Sequence, residues 1–189
     1  HEIIGTIEEI GDAIGPDLRG QALRVGDRVT WTEYFYCGEC YYCAVLDTPQ
    51  KCVNIRKYGH ERSDVAPHFL GGFAEYTYIL PRTGVVRIPD DMPDEEAAPV
   101  MCGVPTMVAA TESVSIGIGD AVVIQGLGLL GLYGISIARA RGARTVIGLD
   151  SVEARLELAK KFGADQVFDV SEMSVDELVG AVRDACPPD

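Results

Sequence analysis

Ala121-Val122-Val123-Ile124-Gln125-Gly126-Leu127-Gly128-Leu129-Leu130-Gly131 is the stretch whose reading decides the fold. Its first five residues form a short apolar, β-branched run, as expected of a buried strand. A Gly-x-Gly-x-x-Gly turn follows at once, and the apolar pattern from Leu127 to Arg141 has the length of a helix. A second strand, Thr145–Asp150, comes next, then a helix over Val152–Phe162 with its charges on one side, and a strand at Gln166–Val170. Ser174-Val175-Asp176-Glu177 is a capping box that opens a last helix. This β-α-β-α-β-α order implies a parallel sheet with right-handed crossovers. Read for hydropathy alone, Ala121–Ala138 could pass for a membrane span. It falls short of the roughly 20 apolar residues a span needs, and Gly126, Gly128, Gly131 and Gly134 suit strand, turn and helix better.

In that context the glycines have chemical meaning. Gly126 allows the tight turn, Gly128 lets a pyrophosphate approach the backbone at the helix N-terminus, and Gly131 permits close helix–strand packing. Asp150 ends the second strand roughly 20 residues after Gly128, where an acid binds the adenosine ribose hydroxyls and repels a 2′-phosphate. The expected cofactor is NAD rather than NADP. The bland alternative is a Gly-rich packing turn with no ligand.

Working toward the N-terminus, the chain divides near Gly103, into residues 1–103 and 104–189. The first part is strand-rich: residues 1–10, 27–33, 72–80 and 84–88 carry β-branched and aromatic residues bounded by Gly, Pro and Asp. Residues 34–70 have no clear period, and a loop of that length needs something to order it. Cys37, Cys40, Cys43 and Cys52 lie inside it. Four thiolates at this spacing can close on one zinc ion, with no open coordination position, which makes a structural site. An iron–sulfur cluster is the rival, but its cysteine run has a shorter last gap and a following proline; here Val53 follows Cys52. Disulfides or unligated thiols are the remaining alternatives.

His1-Glu2 and Cys102 are weak signals individually, since a His-Glu pair is usually structural and a Cys in an apolar segment is usually core. Together, an imidazole and a thiolate with a third ligand and a water would make an open zinc site, which polarises an alcohol and prepares it to release hydride to a nicotinamide. His60 and His68 read as loop residues, and Cys186 is given no role. The net charge of −13 argues against nucleic acid or an anionic membrane as partner. The 47% hydrophobic and 24% charged fractions are those of an ordinary globular protein.

The assembled pattern resembles the zinc-dependent medium-chain alcohol dehydrogenases. The matching segments are His1-Glu2-x2-Gly5-x5-Gly11-x2-Ile14, Gly26-Asp27-Arg28-Val29, the cysteine lobe at about 34–57, Gly71-Gly72-Phe73-Ala74-Glu75-Tyr76 and Ala98-Pro99-Val100-Met101-Cys102-Gly103. The resemblance implies part of a GroES-like β-rich catalytic domain with a structural-zinc lobe, followed by part of a Rossmann doubly wound parallel sheet. It implies that His1 and Cys102 ligate catalytic zinc, with Glu2 an acid that can approach the metal. Thr106 would lie near the nicotinamide and Leu130 behind its ring. Gly126, Gly128, Leu129 and Gly131 would cradle the cofactor, Asp150 and Arg155 would hold its adenosine end, and Cys37, Cys40, Cys43 and Cys52 would bind structural zinc.

The resemblance further implies a small alcohol or carbonyl substrate, a cytoplasmic location and a dimer or tetramer, with no nucleic-acid or membrane partner. The sequence departs from the family pattern in two ways. The last lobe gap is one residue longer than usual, so Ala44–Lys51 should bulge. The family's first catalytic zinc ligand, a Cys before the His, is absent, and the chain reads as the internal part of a longer enzyme, inactive alone. Gln21–Trp31, Lys51-Cys52 and Arg56-Lys57-Tyr58-Gly59-His60-Glu61 further resemble the alcohol dehydrogenases associated with bacterial phosphonate catabolism. A non-catalytic NAD-binding protein that keeps only the structural zinc is the competing reading.

Overall fold

The computed structural model describes residues 1–12 and 14–186. Residue 13 and residues 187–189 lie outside the described set. The chain forms two compact units, His1–Cys102 and Gly103–Asp189.

In the first unit, β2 (Arg28–Trp31) is the middle strand of an antiparallel sheet, between β1 (Gly5–Thr6) and β5 (Val85–Arg87). The register pairs Gly5 with Val29 and Trp31 with Val85. Val29, Trp31, Phe35, Tyr58, Leu70, Val85 and Met101 form the core around it. Tyr58 is fully buried, and its hydroxyl is satisfied by the Leu80 N–H at 2.8 Å and by Thr83 Oγ1 at 2.8 Å. The loop after Asp17 is tied to the sheet by that carboxylate, which accepts the backbone N–H groups of Arg19, Gln21 and Arg87. These bonds, that of Gln21 foremost, hold the Asp17 carboxyl below its ordinary value.

Two expected strands differ. Within residues 1–10 only Gly5–Thr6 pairs, and Gly72–Leu80 forms no ladder. The aromatic content of that segment makes it competent for a strand, but a strand exists only where a neighbouring edge takes its hydrogen bonds. Among the described residues it hydrogen-bonds to no other strand. The irregular region 34–70 is ordered by β3 (Tyr34–Phe35) paired with β4 (Arg56–Lys57), by α1 (Tyr41–Ala44) and by a 3₁₀ turn at Pro49–Lys51. Ala44–Lys51 accommodates its length with Asp47 in the left-handed region, at φ 48°.

α2 (Asp94–Ala97) and a 3₁₀ turn at Ala98–Met101 lead to Cys102. The second unit opens with α3 (Gly103–Ser113) and then alternates β6 (Ala121–Gln125), α4 (Leu129–Ala140), β7 (Thr145–Asp150), α5 (Glu153–Phe162), β8 (Gln166–Asp169) and α6 (Val175–Ala185). The three strands are parallel in the order β6-β7-β8. β7 is central and buried along nearly its whole length, which is why it reads as a continuous apolar run. Leu127, Leu132, Ile135, Val146, Leu156 and Ala159 make the core between sheet and helices. Burying each large side chain here stabilises the unit by roughly 1.5–3 kcal/mol. α5 has Glu153 in its first turn, Lys160 and Lys161 in its last, and ends at Gly163 with φ 108°, as the helix dipole and the left-handed cap favour. α6 carries the expected capping box, Ser174 Oγ accepting from Glu177 N and Glu177 Oε2 from Ser174 N. No described helix is long and apolar enough to cross a membrane.

Candidate active site and metal centres

The four lobe cysteines converge. Cys37 stands at the end of the β3 strand's continuation, Gly38 turns the chain at φ 77°, Cys40 caps α1, Cys43 lies within it, and Cys52 closes the 3₁₀ turn. Their sulfur atoms lie within 4.8 Å of one another. Cys40–Cys43 and Cys37–Cys52 are 3.5 Å apart and Cys40–Cys52 3.9 Å. Zinc–sulfur bonds of about 2.3 Å set tetrahedral sulfurs roughly 3.8 Å apart, so the set fits one zinc ion with little movement. Backbone N–H groups of Cys40 and Asn54 point at Cys37 Sγ and Cys52 Sγ, at 3.4 and 3.3 Å. Backbone donors, those of Glu39 and Cys40 first, lower the Cys37 thiol to about 6. Burial instead pushes Cys43 up to about 12.

A second group joins His1, Glu33 and Cys102, with one donor atom of each inside 4.8 Å of the others. His1 Nδ1 is 3.1 Å from Glu33 Oε2, and the other oxygen of Glu33 is 3.3 Å from Lys57 Nζ. The His1 and Glu33 side chains are 25% and 21% exposed. The His60 ring stacks on His1, centroids 4.7 Å apart. Glu33 directly precedes β3, and its carbonyl accepts the Tyr58 N–H at 2.9 Å. The 3₁₀ turn at Ala98–Met101 delivers Cys102. Of the residues expected here from sequence, His1 and Cys102 are brought together; Glu2 is exposed and belongs to neither donor group among the described residues. Glu33, Lys57 and His60 were not singled out by sequence for this place. A carboxylate amid Trp31, Tyr34 and Phe35 was the available signal for the first.

In the second unit the glycine turn connects β6 to α4. Gly126 has φ 88°, and its N–H binds the Leu149 carbonyl at 2.8 Å. Gly128 is the N-cap of α4 and provides no side-chain acceptor for the first-turn N–H groups, which leaves donors for an anion. A Cβ on Gly131 would overlap the Gly126 carbonyl oxygen. Asp150 is 7% exposed. Its Oδ2 accepts from Leu127 N at 2.7 Å and its Oδ1 from Ser151 N and Val152 N. The Leu127 bond leads the interactions that hold this carboxyl below its ordinary value. Arg155 Nη1 lies 3.5 Å from Oδ2. Leu129, Leu130 and Thr106 are exposed.

The family description "Alcohol dehydrogenase GroES-like domain" matches residues 1–90, and "Zinc-binding dehydrogenase" matches residues 130–187. The chain belongs to the zinc-dependent medium-chain alcohol dehydrogenase family. Among its relatives are the 5-exo-hydroxycamphor dehydrogenase of Pseudomonas putida, 31% identical over 97% of this chain and 50% of the relative, and an alcohol dehydrogenase of Geobacillus stearothermophilus, 35% identical over 97% and 51%. The crystal structure of an alcohol dehydrogenase from Thermotoga maritima superposes with a TM-score of 0.88 at 35% identity, over 97% of this chain and 51% of that one. Two other family structures hold a cofactor. An Escherichia coli dehydrogenase is complexed with NADH (TM-score 0.72, 25% identity, 96% and 49% covered). A Sinorhizobium meliloti zinc-binding dehydrogenase is bound to NADP (0.71, 26%, 94% and 47%). The chain spans about half the length of the curated relatives it matches. A GroES-like unit with the four-cysteine cluster, followed by the parallel sheet of a nucleotide-binding part, is the family's architecture and this chain's.

Proposed function

We propose that the protein is an NAD-linked alcohol dehydrogenase with one structural and one catalytic zinc. The observation that carries this reading is that His1 and Cys102, from opposite ends of the first unit, bring a nitrogen and a thiol sulfur to one place. The donor set of nitrogen, oxygen and sulfur suits zinc. Bound there, zinc supplies Lewis-acid polarisation of an alcohol oxygen. The overall change is loss of a hydride from the alcohol carbon to NAD and of the hydroxyl proton to solvent, leaving a carbonyl.

The remaining work falls to side chains and backbone. Gly126, Gly128 and Gly131 shape a turn into which a pyrophosphate fits, with Leu129 at the first helical position. Asp150, with Arg155 beside it, would hold the adenosine ribose and favour NAD over NADP. On the family resemblance, Thr106 and Leu130 flank the nicotinamide. The lobe cysteines hold the structural ion and contribute to folding rather than chemistry. A finer place, among the alcohol dehydrogenases of bacterial phosphonate catabolism, rests on Gln21–Trp31, Lys51-Cys52 and Arg56–Glu61 and is tested by including phosphonate-bearing alcohols in the substrate screen. We also expect a cytoplasmic homo-oligomer.

Elemental analysis of the protein in its full natural length tests the reading. Two zincs per chain are expected, one lost on Cys40→Ser and the other on His1→Ala, with alcohol-dependent reduction of NAD exceeding that of NADP. A single zinc insensitive to His1→Ala would leave only the structural lobe and overturn the catalytic reading in favour of a non-catalytic NAD-binding protein.

A further inference from the structure

We propose that Glu33 and Lys57 together recognise a neutral hydroxyl on the carbon next to the reacting one, so that the substrate is a vicinal diol or a larger polyol. This rests on the alcohol dehydrogenase reading and names a substrate class for the same site. Glu33, His1 and Cys102 bring donor atoms within 4.8 Å of one another. Glu33 Oε2 is 3.1 Å from His1 Nδ1, and its Oε1 is 3.3 Å from Lys57 Nζ. One carboxylate thus reaches from the His1–Cys102 centre to an ammonium. The Glu33 and Lys57 side chains are 21% and 42% exposed, open enough for a small molecule to meet both.

The fold fixes where the two charges stand. Glu33 directly precedes β3, Lys57 ends β4, and Tyr34 pairs with Lys57 across that ladder. The Tyr58 N–H continues it onto the Glu33 carbonyl at 2.9 Å. A partly exposed ion pair adds little to stability, so folding alone gives small reason for two charges at this place. Their chemistry selects the guest. A carboxylate only accepts and an ammonium only donates, whereas a hydroxyl does both. A hydroxyl oxygen at hydrogen-bond distance, about 2.8 Å from each, spans the gap between Oε1 and Nζ, donating to the first and accepting from the second. An ammonium beside the carbinol would be repelled by Lys57 and a carboxylate by Glu33. An alkyl group would desolvate both charges without hydrogen-bonding to either. In the reaction the carbinol carbon gives its hydride to NAD and the carbinol hydroxyl its proton to solvent. The neighbouring hydroxyl is unchanged, and a hydroxycarbonyl product results.

Four small alcohols that differ at one carbon test this on the zinc-loaded protein in its full natural length: isopropanol, propylene glycol, isopropanolamine and lactate. A site built around a substrate hydroxyl discriminates strongly against the analogue lacking it, less so where water reaches the site, so propylene glycol should exceed isopropanol in kcat/KM with NAD by about 100-fold. It should exceed the two charged alcohols as well. Lys57→Met should move the preference toward isopropanolamine and Glu33→Gln toward lactate, a crossed change that a merely structural pair would not give. The quantity read is the ratio between substrates within each variant, which loss of folded or zinc-loaded protein leaves unaltered. Binding is read without turnover in protein whose second centre carries Co²⁺. Propylene glycol should perturb its visible bands at lower concentration than isopropanol, and either variant should erase that margin. A diol no better than isopropanol, or a wild-type ranking kept by both variants, overturns the inference and leaves the alcohol dehydrogenase reading intact. So does failure of protein holding both zincs to oxidise propylene glycol. A single zinc insensitive to His1→Ala overturns both.

Discussion

Alanine placed in turn at Gly126, Gly128 and Gly131 separates three demands that one sequence motif combines. At Gly131 the new methyl group would overlap the Gly126 carbonyl oxygen and lie 2.9 Å from its carbon. Both atoms are backbone, so the clash is relieved only if α4 withdraws from the turn and from the β6–β7 core. Overpacking of this kind costs about 1–3 kcal/mol, and a backbone obstacle puts Gly131→Ala at the upper end. At Gly126 the methyl group meets nothing within 4 Å, but φ is 88°. The left-handed backbone then costs about 1–2 kcal/mol. Gly128 has φ −71° and open space around the added carbon. Its replacement gains roughly 0.4–1 kcal/mol from a stiffer unfolded chain, offset by the poorer N-cap that alanine makes.

The expected order of stability is therefore Gly128→Ala, Gly126→Ala, Gly131→Ala, from near wild type to about 3 kcal/mol below it. Urea unfolding followed by helical circular dichroism reads mainly the second unit, where the long helices lie. With a slope of about 2 kcal/mol per molar, Gly131→Ala should lower the midpoint by roughly 1.5 M. NAD titration should invert the pattern at Gly128, where an intact fold presents a methyl group to the pyrophosphate. A Gly131→Ala protein with the wild-type midpoint, or a Gly128→Ala protein as unstable as it, would refute the reasoning.

Asp150→Asn should remove stability near neutral pH. Because the folded carboxyl sits below its ordinary 3.8, its contribution is complete above that value and fades as pH falls through the folded value, so the gap between wild type and variant should close in acid; a gap that widens there would contradict the assigned bonds. Asp17→Asn should behave the same way in the first unit, by the same urea assay. Zinc added to the metal-free chain near neutral pH should release protons, since Cys43 begins as a thiol pushed up to about 12; Cys40→Ser should lower both zinc content and melting temperature, and an unchanged pair of values would exclude the lobe as a zinc site. Tyr58→Phe leaves the Leu80 N–H and the Thr83 hydroxyl without their buried partner, and should cost about 1–3 kcal/mol by urea denaturation.

The second unit was legible because its determinants are local. A strand bounded by glycine, a helix closed by Gly163 and a capping box at Ser174 are each written within a few residues. The largest shift, α4 beginning at Leu129 rather than Leu127, arises because the Leu127 N–H is drawn to Asp150, outside any short window. The cysteine lobe was legible for the same reason, four thiols close together needing only turns between them. Gly72–Leu80 was misread because pairing depends on a neighbour that its own residues do not specify. Glu33 was missed because nothing about its spacing connects it to His1 or Cys102. Only the packing of β2, β3 and the Ala98–Met101 turn brings them to one place, and sequence adjacency made Glu2 the more visible acid.

If Asp150 selects NAD as proposed, its bonds bear on any attempt to reverse that choice. Accommodating a 2′-phosphate calls for removal of that carboxylate, yet the same oxygens restrain the backbone of the turn at Leu127 and the start of α5 at Ser151 and Val152. In the proposed cofactor site, a single exchange to a neutral or basic residue would therefore relax the glycine turn at the moment it altered the ribose contact, and lower affinity for both coenzymes. Redesign has to separate the two duties, supplying a new acceptor for the turn before the acid is taken away.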